Sequence, residues 1–213
     1  MKVVHVCANP KPIEESVSKQ LAAAFFETLA EKNPEVEIDN LDLYADPPPF
    51  LSAEAIRAIY YPAFDPNYQP SDEERKAAEY AARQAQRIRD AEILVITTPM
   101  WNFSLPAILK AWIDQVFTPG NLFALEPGTV RPLHSIRQVI LLAASGGAYK
   151  EDDPRDALTR QLRALMEFIG VSDIAVAWAD GQNPLFHDDA QQRREMALEA
   201  ARELAEEIAE VAA

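Results

Sequence analysis

The segment Ile93-Leu94-Val95-Ile96-Thr97-Thr98-Pro99-Met100-Trp101-Asn102-Phe103 constrains the fold more than any other part of the chain. An apolar run rich in β-branched residues stops at Pro99, and after a short loop an amphipathic run extends from Leu105 to Phe117. That pattern predicts a buried parallel strand, a loop and a helix. In open α/β sheets, ligands bind outside the carboxyl ends of the strands. Met100, Trp101, Asn102 and Phe103 are therefore expected beside a ligand, and two aromatic faces with an amide suit a flat ring with polar edges.

The same unit recurs along the chain. Lys2 to Ala8 reads as a first strand, and a loop from Asn9 to about Glu14 leads into a helix with Val17, Leu21, Ala24, Phe25 and Leu29 at helical spacing. Val36 to Tyr44, Ile93 to Thr98, Val139 to Ala144 and Ile174 to Ala179 read as the remaining strands. Further helices are expected from Ser71 to about Asp90, from about Pro154 to Ile169 and from about Asp189 to Val211. Ser71 and Glu74 have the spacing of a capping box, Gly170 is a C-terminal stop, and Leu204, Ile208 and Val211 share a face of the last helix. Strands alternating with helices predict a parallel sheet covered on both faces, and five strands suit the doubly wound order 2-1-3-4-5. No repeat or linker is visible, so residues 1–213 are expected to form one α/β domain. Asp46 to Pro70 stands apart, being dense in proline and aromatic residues with a short helix expected over Ala53 to Ile59. Long segments of this kind inside a domain are usually functional or mobile.

Composition narrows the function classes. A formal net charge of −14 opposes nucleic-acid binding, which needs a basic face, and its plain reading is a solvated surface. The single cysteine, Cys7, allows no internal disulfide and is expected as a small buried strand residue. No apolar stretch reaches the ~18 residues of a membrane span, and strand-like sequence begins without a signal peptide, so the expected compartment is cytoplasmic. His5, His134 and His187 are scattered with no ligand spacing between them, so no metal site is predicted. There is no G-x-S-x-G elbow either. With no acid–base machinery in view, a cofactor that carries its own chemistry fits best.

Strands one, three and four are adjacent in the expected order, and their carboxyl-end loops would converge on one crevice. In the first loop Ser16 and Ser18 stand at a helix start, where free N–H groups and the dipole favour an anion, and Lys11 could complete a phosphate cradle. Ser16 alone would equally be a helix cap. Neither G-x-G-x-x-G nor G-x-x-x-x-G-K-[ST] is present, which excludes a dinucleotide fingerprint and a P-loop. The second loop, Pro99 to Phe103, is either aromatic packing on the following helix or a ring wall with backbone donors at Asn102 and Phe103. The third, Ser145-Gly146-Gly147-Ala148-Tyr149, carries two of the chain's six glycines, which permit positive φ or close approach of a ligand, or else form an ordinary turn.

Ser16-Val17-Ser18, Pro99-Met100-Trp101-Asn102-Phe103 with Leu105 to Asp114 behind it, and Ser145-Gly146-Gly147 together resemble the FMN-dependent azoreductases and NAD(P)H:quinone reductases of flavodoxin-like fold. The resemblance spans most of the chain, including Asn40-Leu41-Asp42-Leu43 and Phe168-Ile169-Gly170. It implies that Asn9, Ser16, Val17 and Ser18 hold the FMN phosphate. Pro99 to Phe103 would line the isoalloxazine ring, with the Asn102 amide toward the ribityl chain, and Ala144, Ser145, Gly146 and Gly147 would hold the pyrimidine edge. Tyr149, Phe50 and Tyr60 would belong to the substrate pocket. It further implies a homodimer and a ping-pong cycle in which NADH or NADPH reduces FMN, leaves, and is replaced by a quinone or azo acceptor. No catalytic side chain is implied. The chain departs from the family pattern in carrying Trp101 where tyrosine is common, Asn9-Pro10 where serine is frequent, Tyr149 where histidine is frequent, and a longer Asp46 to Pro70 segment. A flavodoxin-type electron carrier serving a protein partner is the competing reading, to which the acidic surface is suited. A scaffold that kept the fold without a cofactor is a third.

Overall fold

The computed structural model describes residues 1–150 and 152–211. The chain runs β1 (Lys2–Cys7), a 3-10 turn (Ile13–Glu15), α1 (Val17–Lys32), β2 (Glu37–Asp42), α2 (Ala53–Phe64), α3 (Asp72–Ala77), α4 (Glu79–Arg89) and β3 (Ile93–Pro99). It continues through α5 (Ala107–Val116), β4 (Phe123–Glu126), β5 (Thr129–Pro132), β6 (Gln138–Ala144), α6 (Ala157–Phe168), β7 (Ile174–Ala179) and α7 (Ala190–Val211). Five parallel strands form one sheet in the order β2-β1-β3-β6-β7, which is the expected succession with β6 and β7 as its fourth and fifth strands.

Alternate strand residues feed two separate cores, because successive side chains leave opposite faces of a sheet. Val4, Val6, Leu94, Ile96, Val139 and Leu141 pack under Ile88 of α4, Leu109 and Trp112 of α5, and Leu158 and Met166 of α6. Val3, Ile93, Val95, Ile140 and Leu142 pack on the other face against Leu21, Phe25 and Leu29 of α1 and Ala201, Ala205 and Ile208 of α7. Burial on both sides is why β3 is apolar almost throughout instead of alternating. Among the described residues, no helix is long and apolar enough to cross a membrane.

Three features differ from the sequence expectation. A two-stranded antiparallel hairpin, β4–β5, lies outside the main sheet between α5 and β6. Its turn is Pro127-Gly128, a turn dipeptide in the sequence, with Gly128 at φ 77°. The single helix expected from Ser71 to Asp90 is two, α3 and α4, meeting at Ala78, which carries no glycine or proline to announce the break. Helix α2 runs five residues beyond Ile59, to Phe64, and contains Pro62. In its last turn that proline forfeits one backbone bond, and Asp65 N–H still closes the helix on Tyr61 O at 2.9 Å.

The Asp46 to Pro70 segment is docked on the domain. Gln115 Nε2 of α5 donates to Pro49 O at 2.8 Å, and Arg83 and Gln84 of α4 donate to the Asp46 carboxylate at 2.8 and 2.9 Å. At the far end Glu74 closes the capping box with Ser71 and also accepts from Arg57 Nε at 2.7 Å and Tyr68 OH at 2.9 Å. The backbone N–H of Ser71 and the Arg57 guanidinium pull the Glu74 pKa from 4.5 down to about 2.

Candidate functional site

The three expected loops leave the sheet at one level. Ala8 N–H donates to Thr97 O at 2.8 Å, Met100 N–H to Ala144 O at 2.8 Å, and Ser145 N–H to Ala179 O at 3.0 Å, so the ladders of β1, β3, β6 and β7 continue one step into the loops. The loops therefore start side by side at the carboxyl edge.

In the first loop, Asn9 is a buried hub. Its amide Nδ2 donates to Ser16 Oγ at 2.7 Å and Ser18 Oγ at 3.0 Å, and its Oδ1 accepts from Lys11 N–H at 3.1 Å. Ser16 Oγ also accepts from Lys19 N–H at 3.2 Å, so Ser16 is the N-cap of α1. Capping and the cradle geometry coexist, since the Ser16 cap leaves the first N–H groups of α1, at Val17 and Ser18, without an intrahelical acceptor.

The second loop is a miniature hairpin. Trp101 and Ser104 exchange both backbone bonds at 3.1 Å, and the two residues between them, Asn102 and Phe103, have φ of 48° and 69°. Two central residues at positive φ are the signature of a type I′ turn, which favours Asn-Gly. Asparagine tolerates that conformation, and phenylalanine is strained there by about 1–2 kcal/mol. The turn is held from outside, because Ala157 N–H, at the start of α6, donates to Phe103 O at 3.0 Å. Met100 is buried, while Trp101 and Phe103 are 41% and 53% exposed, so the aromatics present much of their surface at the rim.

The third loop is zipped to the loop that follows β7. Gln182 N–H donates to Ser145 O at 2.9 Å, Asn183 N–H to Gly146 O at 3.1 Å, and Gly181 N–H to Gly147 O at 2.9 Å. The Ser145 hydroxyl is committed internally, donating to Gly147 O and accepting from Trp178 Nε1, each at 2.9 Å. Neither Gly146 nor Gly147 adopts positive φ, contrary to one reason for expecting glycine there; the left-handed glycine at this edge is Gly181, at 62°. A Cβ on Gly181 would meet Arg193 Cδ at 2.9 Å.

A crevice of about 310 Å³ lies between these loops, lined by Asn9, Ser16, Val17, Ser18, Pro99, Met100, Trp101, Ala144, Ser145 and Gly146, together with Lys11, Glu15, Gln182 and Arg194. Ten of the thirteen cofactor residues expected from sequence thus share one cavity wall, and Asn102, Phe103 and Gly147 stand beyond it. The three expected pocket residues are elsewhere. Tyr149 stacks on Trp178 at 5.3 Å between ring centroids and faces a separate concavity with Arg160 and Arg163. Phe50 is 82% exposed over a third concavity beside Tyr80 and Arg83, and Tyr60 packs with Ala55, Ile59 and Ala81.

The structure adds Gln182 and Arg194 to the site. The signal that would have found them was the fifth strand's own carboxyl end, which opens at the same edge as the other three. Neither His5 nor Cys7 brings a titrating group near neutrality. Burial pushes the His5 pKa down to about 4, with its nitrogens on Asn40 and Thr97 at 2.9 and 2.8 Å, and burial pushes the Cys7 thiol up.

Comparison with known proteins agrees with this architecture. The sequence profile of a family described as flavodoxin-like fold matches residues 1–205. The chain belongs to that family. An FMN-dependent NADH:quinone oxidoreductase of Bacillus licheniformis is 34% identical over 207 residues, covering 96% of this chain and 98% of that protein. The crystal structure of the azoreductase AzrA superposes with a TM-score of 0.86 at 27% identity, over 97% of this chain and all of that one. An FMN-dependent NADH-azoreductase of Bacillus anthracis, solved in complex with FMN, superposes with a TM-score of 0.80 at 25% identity, over 98% of this chain and 100% of that one.

Proposed function

We propose that this protein is an FMN-dependent oxidoreductase that passes two electrons from NADH to a quinone or azo acceptor. One observation carries the reading: a hydroxyl-bearing helix start and an aromatic hairpin line the same crevice at the sheet's carboxyl edge. The donor set fits FMN at both ends. Ser16, Val17 and Ser18 offer hydroxyls and helix N–H groups to a phosphate, with Asn9 fixing the hydroxyls from below. Pro99, Met100 and Trp101 offer an apolar wall to the ring, and the Asn102–Phe103 turn and the Gly146–Gly147 pair offer backbone N–H groups to its polar edges. FMN, when bound, supplies the hydride chemistry that no side chain of the crevice can supply.

The chain's own work is binding, orientation and access. The strained Asn102–Phe103 turn, clamped by α6, keeps the ring wall rigid. Trp101 and Phe103 at the rim offer stacking surface to a planar donor or acceptor. Donor and acceptor use the same opening in turn, a ping-pong order. The chain acts as a homodimer, a proposal supported by the exposed apolar side chains of the α2 region, where Phe50 and Phe64 are 82% and 73% exposed.

Initial rates test this reading. NADH oxidation should require added or retained FMN and a quinone, and double-reciprocal plots at several fixed quinone concentrations should be parallel, with NADPH run as the comparison donor. Converging lines would overturn the alternating order. No FMN-dependent NADH oxidation with either quinone or azo dye would overturn the function.

A further inference from the structure

The crevice contains a guanidinium that forms no salt bridge among the described residues, Arg194. The protein carries 34 acidic and 20 basic residues, and most of its arginines are taken up by carboxylates or main-chain oxygens. Arg193 shows the common case, held by Asp180 and Asp189 at 2.8 Å each. Its neighbour Arg194 differs. Among the described residues no carboxylate lies within salt-bridge distance of Arg194, although Glu15 lines the same cavity.

Arg194 is nevertheless held in place. Its Nε donates to Gln182 Oε1 at 3.1 Å, and the Gln182 amide is pinned in turn, with Nε2 donating to Asp180 O and Ala190 O at 3.0 Å each. A guanidinium tethered through Nε keeps its two terminal nitrogens for another acceptor, the fork that matches two oxygens of a phosphate. Ser16, Val17 and Ser18 are on the wall of the same cavity. Lys11 also lines it, but its side chain is exposed and only its backbone N–H is engaged, by Asn9.

We propose that Arg194, positioned by Gln182, is a phosphate-binding residue of this protein and sets its preference for FMN over riboflavin. The inference rests on the flavoprotein reading above and adds to it a residue on α7, an element outside the three loops from which that reading was built. The charge is also needed here more than in a neutral protein, because a dianionic phosphate approaching a surface of net charge −14 meets repulsion that helix N–H groups offset only in part.

The test is a pair of affinities. Apoprotein is titrated with FMN and with riboflavin by flavin fluorescence quenching, for wild type, Arg194→Met, Arg194→Lys and Lys11→Met. The expected result is that Arg194→Met binds FMN at least about tenfold more weakly, the cost of one lost charge-assisted contact, with riboflavin affinity unchanged within about twofold. Arg194→Lys should recover part of the FMN affinity, and added salt should weaken FMN binding less in Arg194→Met than in wild type. Equal losses for both flavins in Arg194→Met would mean a merely structural role and overturn the proposal. So would unchanged FMN affinity, or a phosphate preference carried by Lys11. Wild-type protein that binds neither flavin would refute the flavoprotein reading itself, and the assignment of Arg194 with it.

Discussion

Replacing Asn9 with alanine removes the hub on which the first loop is built. Three hydrogen bonds go with the amide, to Ser16 Oγ, to Ser18 Oγ and from Lys11 N–H, at a residue that is 4% exposed. Each such bond contributes about 0.5–1.5 kcal/mol net, and buried groups left without a partner cost more. The serine hydroxyls lie 3.3 Å apart and can bond one another, which recovers part of the loss. The expected destabilisation is about 2–3 kcal/mol, a shift of roughly 1 M in the urea midpoint for a domain of this size, read on apoprotein by far-UV circular dichroism. Asn9→Asp separates stability from binding. Its carboxylate can accept from both hydroxyls and from Lys11 N–H, so most of the stability should survive, while a negative charge beneath the phosphate cradle should weaken FMN binding by about tenfold or more. An Asn9→Ala midpoint equal to wild type, at equal slope, would refute the hub. Wild-type FMN affinity in Asn9→Asp would remove the phosphate from this end of the crevice.

Three further outcomes are expected. Phe103→Gly relieves about 1–2 kcal/mol of left-handed strain against about 0.5–1 kcal/mol of added chain entropy, so thermal unfolding should show a net gain of about 0.5–1 kcal/mol; a loss would mean that the turn is not strained. Asn102→Ala should weaken FMN retention on a desalting column, and Asn102→Gly, which keeps the positive-φ turn, distinguishes the amide from the backbone; unchanged retention in both would remove the Asn102 side chain from the site. Glu74, with its folded pKa lowered from 4.5 to about 2, contributes stability that is fully present above the unfolded value and is lost as pH falls through that interval. The gap in stability between wild type and Glu74→Gln should therefore be constant above about pH 5 and narrow toward pH 2, and a gap independent of pH would contradict the carboxylate's role.

The parallel sheet was legible in sequence because its inner strands, β3 above all, are buried on both faces, which leaves apolar runs such as Ile93 to Ile96. The crevice was legible for a related reason, since the unusual residues follow those strands directly. The hairpin β4–β5 escaped because strands of four residues with one buried position, Phe123, carry almost no periodic signal. The break at Ala78 escaped because it is a single-residue irregularity between two good helices. Positive φ at Phe103 runs against that residue's intrinsic preference, and only the surrounding contacts, such as Ala157 N–H on Phe103 O, impose it. Tyr149 illustrates the limit of placing residues by loop alone. It follows the glycine pair by two positions, yet its backbone N–H is captured by the Asp180 carboxylate at 2.9 Å and its ring by Trp178, which turn it to another face.

The central claim is that this crevice holds FMN for exchange of two electrons with NADH. Purified protein is incubated with FMN, desalted, and titrated anaerobically with NADH while its visible spectrum is followed, and a quinone is then added. The account predicts flavin that survives desalting, bleaches with one equivalent of NADH per FMN, and recovers its colour with the quinone. Flavin that binds but is not bleached by NADH would contradict the reductase and favour a carrier reduced by a protein partner. Protein that emerges from the column without flavin would contradict the site itself.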